Sequence, residues 1–328
     1  METVKLNNIG AITNALEVMM ERDKSIIVYG EDAGFEGGVF RATQGLQKKF
    51  GVDRVFDAPI SESAIVGSAL GSAMAGLRPV AEIQFSGFVF YGLGQLFPNA
   101  ARMRNRSRGK LCAPLVLRMP VGGGVKALEH HSEALEALFT HIPGLKVVMP
   151  ATPYDTKGLL ISAIEDNDPV VFLEHKHDYR AFKEEIPAGY YTLEIGKADV
   201  KVEGDDLTLV TYGHMLHETT AALKLLREEG KEYSVEVIDL RSLKPLDTKT
   251  VVESVKKTGR LLVVSESVQS GSITAEIITR VNEEAFDNLV AAPVRLNAPD
   301  VTVPLPALEN EFGVNKDKIA TVIKEILG

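Results

Sequence analysis

Apolar residues along this chain fall into two patterns, one helical and one strand-like, and the two alternate. Ile12, Ala15, Leu16 and Met19 recur at the spacing that turns one helical face toward a core, with a candidate cap at Asn8. Ile26 to Tyr29 then form a compact apolar run that ends at Gly30, which predicts a strand. The same alternation predicts a short strand at Val55-Phe56, a helix from about Ser63 to Ala75 and a strand from Val80 to Phe85. Further strands are predicted at Pro114 to Arg118, Leu145 to Met149 and Val170 to Leu173, with a helix opening at Thr152-Pro153, where proline suits the first turn. Strands this uniformly apolar suit a parallel sheet covered on both faces.

From about Glu174 to Gly204 the pattern weakens into charged sequence punctuated by Pro and Gly, which marks an inter-domain connection. A second alternating block follows, with strands predicted at Leu207 to Tyr212, Val235 to Leu240, Leu261 to Ser265 and Val294 to Leu296. Helices are predicted between them near His217 to Glu228, Thr248 to Lys257 and Ser272 to Phe286. The expected fold class is therefore α/β with two domains, residues 1–185 and 205–328, joined by a linker at 186–204. No repeat and no low-complexity segment interrupts this reading.

Composition narrows the function. Of 328 residues, 45% are apolar and 25% charged, the mixture of an ordinary globular protein. A formal charge of -9 argues against nucleic acid, whose binding rests on clustered positive charge. The uncharged run Ile83 to Ala101 approaches membrane-spanning length but contains Gln84, Ser86, Gln95, Pro98 and Asn99, so it is expected to be buried and not in a membrane. Cys112 is the single cysteine, and the acidic, amphipathic start of the chain lacks the form of a signal peptide; the expected location is cytoplasmic.

Two segments carry candidate chemistry. In ISESAIVGSALGSAMAG, Glu62 stands just before a helix built largely of small residues, which is expected to pack closely in the core or against another subunit. Its carboxylate has two readings, a first-turn acid favoured by the helix dipole or a catalytic acid at the edge of a dry region. In PVGGGVKALEHHSEALEALFTH, a glycine-rich turn precedes His130 and His131. The glycine spacing matches neither a dinucleotide fingerprint nor a phosphate loop. Either histidine can move protons, or serve only as a cap or a satisfied core residue, and no third ligand supports zinc there.

Beyond these local signals, a series of segments in one order resembles a known family: GEDAGFEGGVFRATQGL, RVFDAPISESAIVG, GLRPVAEIQF, HIPGLKVVMPATPYDTKGLL, AIEDNDPVVFLEHK, VEVIDLRSLKPLD and KTGRLLVVSE. They identify the chain as similar to beta subunits of the thiamine-diphosphate-dependent first component of 2-oxo acid dehydrogenase complexes, from about residue 5 to the end. The resemblance implies two doubly wound domains, a thiamine-diphosphate-binding (pyrimidine) fold followed by a transketolase C-terminal-like domain. It also implies that Glu62 contacts the pyrimidine ring nitrogen, favouring the form in which an exocyclic nitrogen can take a proton. Aligning EIQFSGFVF places Phe88 against the pyrimidine, with Phe85 the neighbouring alternative. His131 is expected to face the substrate and assist acyl transfer to the lipoyl group. Related subunits hold potassium near AIEDNDP, which here implies Leu115, Ala163, Ile164, Asp166 and Asp168; the acids equally fit a solvated turn.

The family's diphosphate motif, Gly-Asp-Gly followed about thirty residues later by asparagine, has no counterpart. Gly204-Asp205-Asp206 is the nearest string, and it precedes a predicted strand. The resemblance therefore implies an alpha subunit that holds Mg²⁺ and the phosphates, in a heterotetramer of two alpha and two beta subunits. RNRSRGKLCAPLVLRMPVGGGVKALEHHSEALEA is most similar to pyruvate-type members, which transfer an acetyl group; branched-chain and acetoin types are the alternatives. Asn105 departs from the tyrosine of many relatives, and APDVTVPLP departs from a DTPxP pattern. Glu283, Glu284 and Asp287 are candidate contacts for the peripheral-subunit-binding domain of the acyltransferase core, whose lipoyl domain is the second partner; a solvated helix face explains them equally well. A single-chain transketolase or deoxyxylulose-phosphate synthase would need the missing diphosphate domain. A non-catalytic scaffold would not need Glu62 and His131.

Overall fold

The computed structural model describes residues 2–328. In chain order its strands are β1 (Thr3–Leu6), β2 (Ile26–Gly30), β3 (Val55–Asp57), β4 (Arg78–Glu82), β5 (Val116–Val121), β6 (Lys146–Val148) and β7 (Val170–His175). They continue with β8 (Glu184–Pro187), β9 (Asp199–Val202), β10 (Leu207–Thr211), β11 (Val235–Asp239), β12 (Ser242–Lys244), β13 (Leu261–Val268) and β14 (Val294–Ala298). The longer helices are α1 (Asn8–Arg22), α2 (Glu62–Met74), α3 (Pro153–Glu165), α4 (Met215–Glu228), α5 (Thr248–Thr258), α6 (Ile273–Ala285) and α7 (Lys316–Leu327).

The first sheet runs β12-β6-β7-β5-β4-β2-β3, parallel except for the edge strand β12. Its strands are apolar on both sides because both faces are covered. Ile12, Leu16 and Met20 of α1 join Leu159 and Leu160 of α3 over one face, packing on Val28 and Phe172. Across the other face, Ile65 and Val66 of α2 share one continuous core with Leu117 and Met119 of β5 and with Tyr212, Ile238 and Val263 of the second domain. The domains are thus joined through an apolar interior. The second sheet runs β14-β13-β10-β11-β9, with β9 antiparallel at its edge.

Several expectations change in detail. The cap of α1 is Asn7, whose side chain accepts from the Gly10 amide, whereas Asn8 is buried and its amide donates to the Ala151 and Asp178 carbonyls. Strand β4 stops at Glu82 instead of reaching Phe85, because Ser86–Tyr91 form a 3-10 turn. The segment expected as a linker at 186–204 includes β9, whose alternately half-exposed residues give no continuous apolar run to read. The run from Ile83 to Ala101 is only partly buried: Val89 and Leu96 are inside, while Phe90 and Tyr91 are exposed. Among the described residues no helix is long and apolar enough to cross a membrane. Helix α2 buries Ile65, Val66, Ala69, Leu70 and Ala73, but Ser63, Ala64 and Gly71 face outward, so its small-residue surface is not in this chain's own core.

Candidate active site

The chain passes from β2 out to β3 and returns through α2 to β4 on the other side of β2. The carboxyl ends of β2 and β4 therefore flank the reversal in strand order, where open α/β sheets take ligands. The two strands approach closely at Gly30, where a Cβ would lie 2.6 Å from the Glu82 carbonyl oxygen. Two acids, Glu31 and Asp32, follow directly, and Gln84 bridges back from β4 by donating to the Asp32 carboxylate at 3.3 Å. Glu31 is buried and its Oε1 has no hydrogen-bond partner. Burial, then the charges of Glu62 and Asp32, push its carboxyl above the usual range.

Glu62 is the first residue of α2, after Ser61, so its carboxylate lies where the helix dipole favours negative charge. Both readings of Glu62 thus share one location, a first-turn acid beside a buried carboxyl. The turn Ser86–Tyr91 rests on this end of the helix: a Cβ on Gly92 would lie 2.8 Å from Val66 Cγ2 and 3.2 Å from the Glu62 carbonyl oxygen.

On that turn the aromatic candidates converge. Phe85 and Phe88 meet edge to face at 5.7 Å, and the His131 ring stands edge-on to both, at 4.4 Å from Phe85 and 5.3 Å from Phe88. His130 is farther, 6.4 Å from Phe88, with Nδ1 3.1 Å from the Glu129 carboxylate. The 3-10 turn Glu129–His131 separates the two imidazoles, so they do not form one site. Gly87 permits the approach, because a Cβ there would collide with the His130 carbonyl at 2.3 Å. His131 Nδ1 is buried without a partner. The structure therefore brings Phe85, Phe88 and His131 together, and the charge of Glu62 acts on the Glu31 carboxyl; the carboxylate of Glu62 makes no hydrogen bond among the described residues.

Sequence reasoning missed the support beneath these rings. Arg118, on β5, is 1% exposed and lies between two acids of neighbouring strands. It donates bidentately to Glu174 at 2.7 and 2.9 Å and to Glu82 at 2.9 Å. Burial would lower its pKa, but Glu174 and Glu82 outweigh that and hold the guanidinium charged. Tyr179 donates to Glu174 at 2.7 Å, and its ring packs on Phe40, which packs in turn on Phe85. The Lys176 ammonium lies 5.9 Å from the Phe85 ring centroid and donates to the Gly122 carbonyl. The only local signal was a charged residue inside each otherwise apolar strand, at positions 82, 118 and 174.

At the positions expected around potassium, several oxygens have partners within the chain. Ile164 O accepts from Arg78 at 2.9 Å, Leu115 O accepts from the Val170 amide, and Asp168 pairs with Arg104 at 2.6 Å. Asp166 is bound by Lys146 and by the Asp168 amide.

Residues 4–181 match the family described as "Transketolase, pyrimidine binding domain", and residues 196–319 match "Transketolase, C-terminal domain". A solved structure titled "Split gene transketolase, inactive beta4 tetramer" shares the fold, with a TM-score of 0.72, 23% identity and 98% of each chain covered. Both halves are thus transketolase-type domains, and the site lies in the pyrimidine-binding one. Three relatives called "Pyruvate dehydrogenase E1 component subunit beta" extend the likeness. The protein of Acholeplasma laidlawii is 58% identical over 96% of each chain, and that of Mycoplasma genitalium 53% over 98% of each. The Bacillus subtilis protein is 48% identical over 98% of this chain and 99% of its own. The chain belongs to the pyruvate dehydrogenase E1 beta-subunit family.

Proposed function

We propose that this chain supplies the pyrimidine and substrate side of a thiamine-diphosphate site for oxidative decarboxylation of pyruvate, and that an alpha subunit supplies the diphosphate and Mg²⁺ side. The observation that carries this reading is the half-built character of the site. Buried polar atoms at Glu31 and His131 lack partners, and the flanking Phe35, Ile60 and Tyr91 are 82%, 86% and 74% exposed. Exposed large apolar side chains near unpartnered buried polar atoms in the chain suit a surface that another subunit covers. The small-residue face of α2 beside them suits close backbone packing. Gly204-Asp205-Asp206 gives no phosphate site: the Asp205 and Asp206 amides donate to Ser234, holding a turn before β10.

These residues fit the cofactor's pyrimidine half. Phe85 or Phe88 would offer a ring face, and Glu62 would hold a proton at the pyrimidine ring nitrogen, with Glu31 behind it. When bound, the cofactor supplies a carbon nucleophile and an electron sink for loss of carbon dioxide. His131, wedged against two phenyl rings, would donate a proton to the lipoyl sulfur or hold the substrate carboxylate. The rings exclude water around it.

The chain should be purified alone and with an alpha subunit, and reductive acetylation of lipoamide measured with pyruvate and with branched-chain 2-oxo acids. Turnover only in the mixture, and with pyruvate preferred, is expected; full turnover by the chain alone would overturn the shared site. In the same assay His131→Ala should lower acetyl transfer by roughly 10²-fold or more. A loss smaller than about threefold would remove His131 from this role.

A further inference from the structure

A second concentration of titratable side chains lies outside this site, on the seam between the domains. His175 ends β7, Asp178 follows in the turn Lys176–Tyr179, and His214 immediately precedes α4. The first two belong to the pyrimidine-binding domain and the third to the other. The His175 and His214 rings stack at 4.7 Å with planes 17° apart. One donor atom from each of His175, Asp178 and His214 lies within 4.8 Å of the others. His175 Nδ1 and Asp178 Oδ2 are buried with no hydrogen-bond partner, a deficit that a bound ion would remove.

The surrounding carboxylates complete the pattern. His175 Nε2 is 2.5 Å from Glu266, so one ring nitrogen is held by an outer carboxylate while Nδ1 has no partner. His214 Nε2 is 3.5 Å from Glu218, while its Nδ1 is 2.6 Å from Asp178 Oδ1. Each imidazole is thus backed by a glutamate on its far nitrogen, the arrangement by which outer carboxylates orient metal-binding histidines. A cleft of about 700 Å³ lined by His175, His214, Glu218 and Glu266 gives access.

We propose that His175, Asp178 and His214 bind a divalent transition-metal ion of the Zn²⁺ type that fastens one domain to the other. Two imidazole nitrogens and one carboxylate oxygen suit Zn²⁺ and its neighbours; Mg²⁺ and Ca²⁺ prefer oxygen alone. His177, whose ring is 4.4 Å from His214, or water fills the remaining position. The ion replaces the hydrogen that His214 Nδ1 and Asp178 Oδ1 share at 2.6 Å.

The full-length chain, stripped with a chelator, should be titrated with Zn²⁺ at pH 8 against a chromophoric competitor, and with Co²⁺ for its visible spectrum. One tightly bound Zn²⁺ per chain and an intense low-symmetry Co²⁺ spectrum are expected. His214→Gln and Asp178→Asn, each checked for native circular dichroism, should weaken binding at least about tenfold. His141→Ala, at an exposed histidine elsewhere, should leave it unchanged. The proposal fails if the native chain shows no stoichiometric site or an octahedral aquo-like Co²⁺ spectrum, a result that does not depend on any variant folding. It also fails if both folded variants bind as the native chain does.

Discussion

Replacing Glu62 by glutamine is expected to lower pyruvate turnover by the assembled enzyme about 10²- to 10⁴-fold while leaving the fold intact. The magnitude is that of removing a positioned acid-base group. Glutamine keeps the shape of the side chain but cannot share a proton with a ring nitrogen as a carboxyl does. Stability should change little, since the carboxylate makes no hydrogen bond among the described residues and its helix-dipole contribution is about 0.3–1 kcal/mol. The measurement is steady-state acetyl transfer to lipoamide beside a thermal melt. Turnover within about threefold of the native enzyme would exclude Glu62 from the chemistry, and a collapsed melt would assign it a structural role.

Arg118→Met should destabilise the chain by about 3–5 kcal/mol, the cost typical of removing one partner from a buried ionic cluster. Methionine roughly fills the volume but leaves Glu82 and Glu174 without their cation. Burial already pushes the Glu82 carboxyl above its ordinary range, and in the variant both acids would protonate or draw in water. Chemical denaturation measures the loss. Adding Glu174→Met should recover part of it, because it removes one of the two orphaned acids and leaves only Glu82 without its cation. If the double variant is as unstable as the sum of the singles, lost packing and not the charge is responsible.

How much of this was legible in the sequence depended on whether the responsible interaction is local. Strands such as Ile26–Gly30 and Leu207–Thr211 were readable because burial on both faces favours apolar residues, with the buried Thr208 and Thr211 the polar positions of the second. Helix α3 was readable from Thr152 and Pro153, whose capping and fixed backbone act within one turn. Edge strands β9 and β12 were not, since four partly exposed residues in one and three residues in the other give no continuous apolar run. The amphipathic helix α7 carried a local signal, capped at Asn315, that went unread. Glu62, Phe85, Phe88 and His131 came from family resemblance; position alone left each open to a plain structural reading. Glu31, the Arg118 cluster and the His175-Asp178-His214 group depend on which strands lie side by side, and strand order is a long-range property that no window of sequence contains.

Strand β12 adds a constraint of a different kind. It lies 94 residues after β6 in the chain, counted from Val148 to Ser242, yet pairs with it to finish the first sheet. During synthesis the pyrimidine-binding domain therefore emerges with one border of its sheet unprotected, and that border stays open to foreign strands until β9 to β12 have followed. The two domains are distinct in fold but not in biogenesis: a cut in the connection between them would release a first domain lacking its last strand.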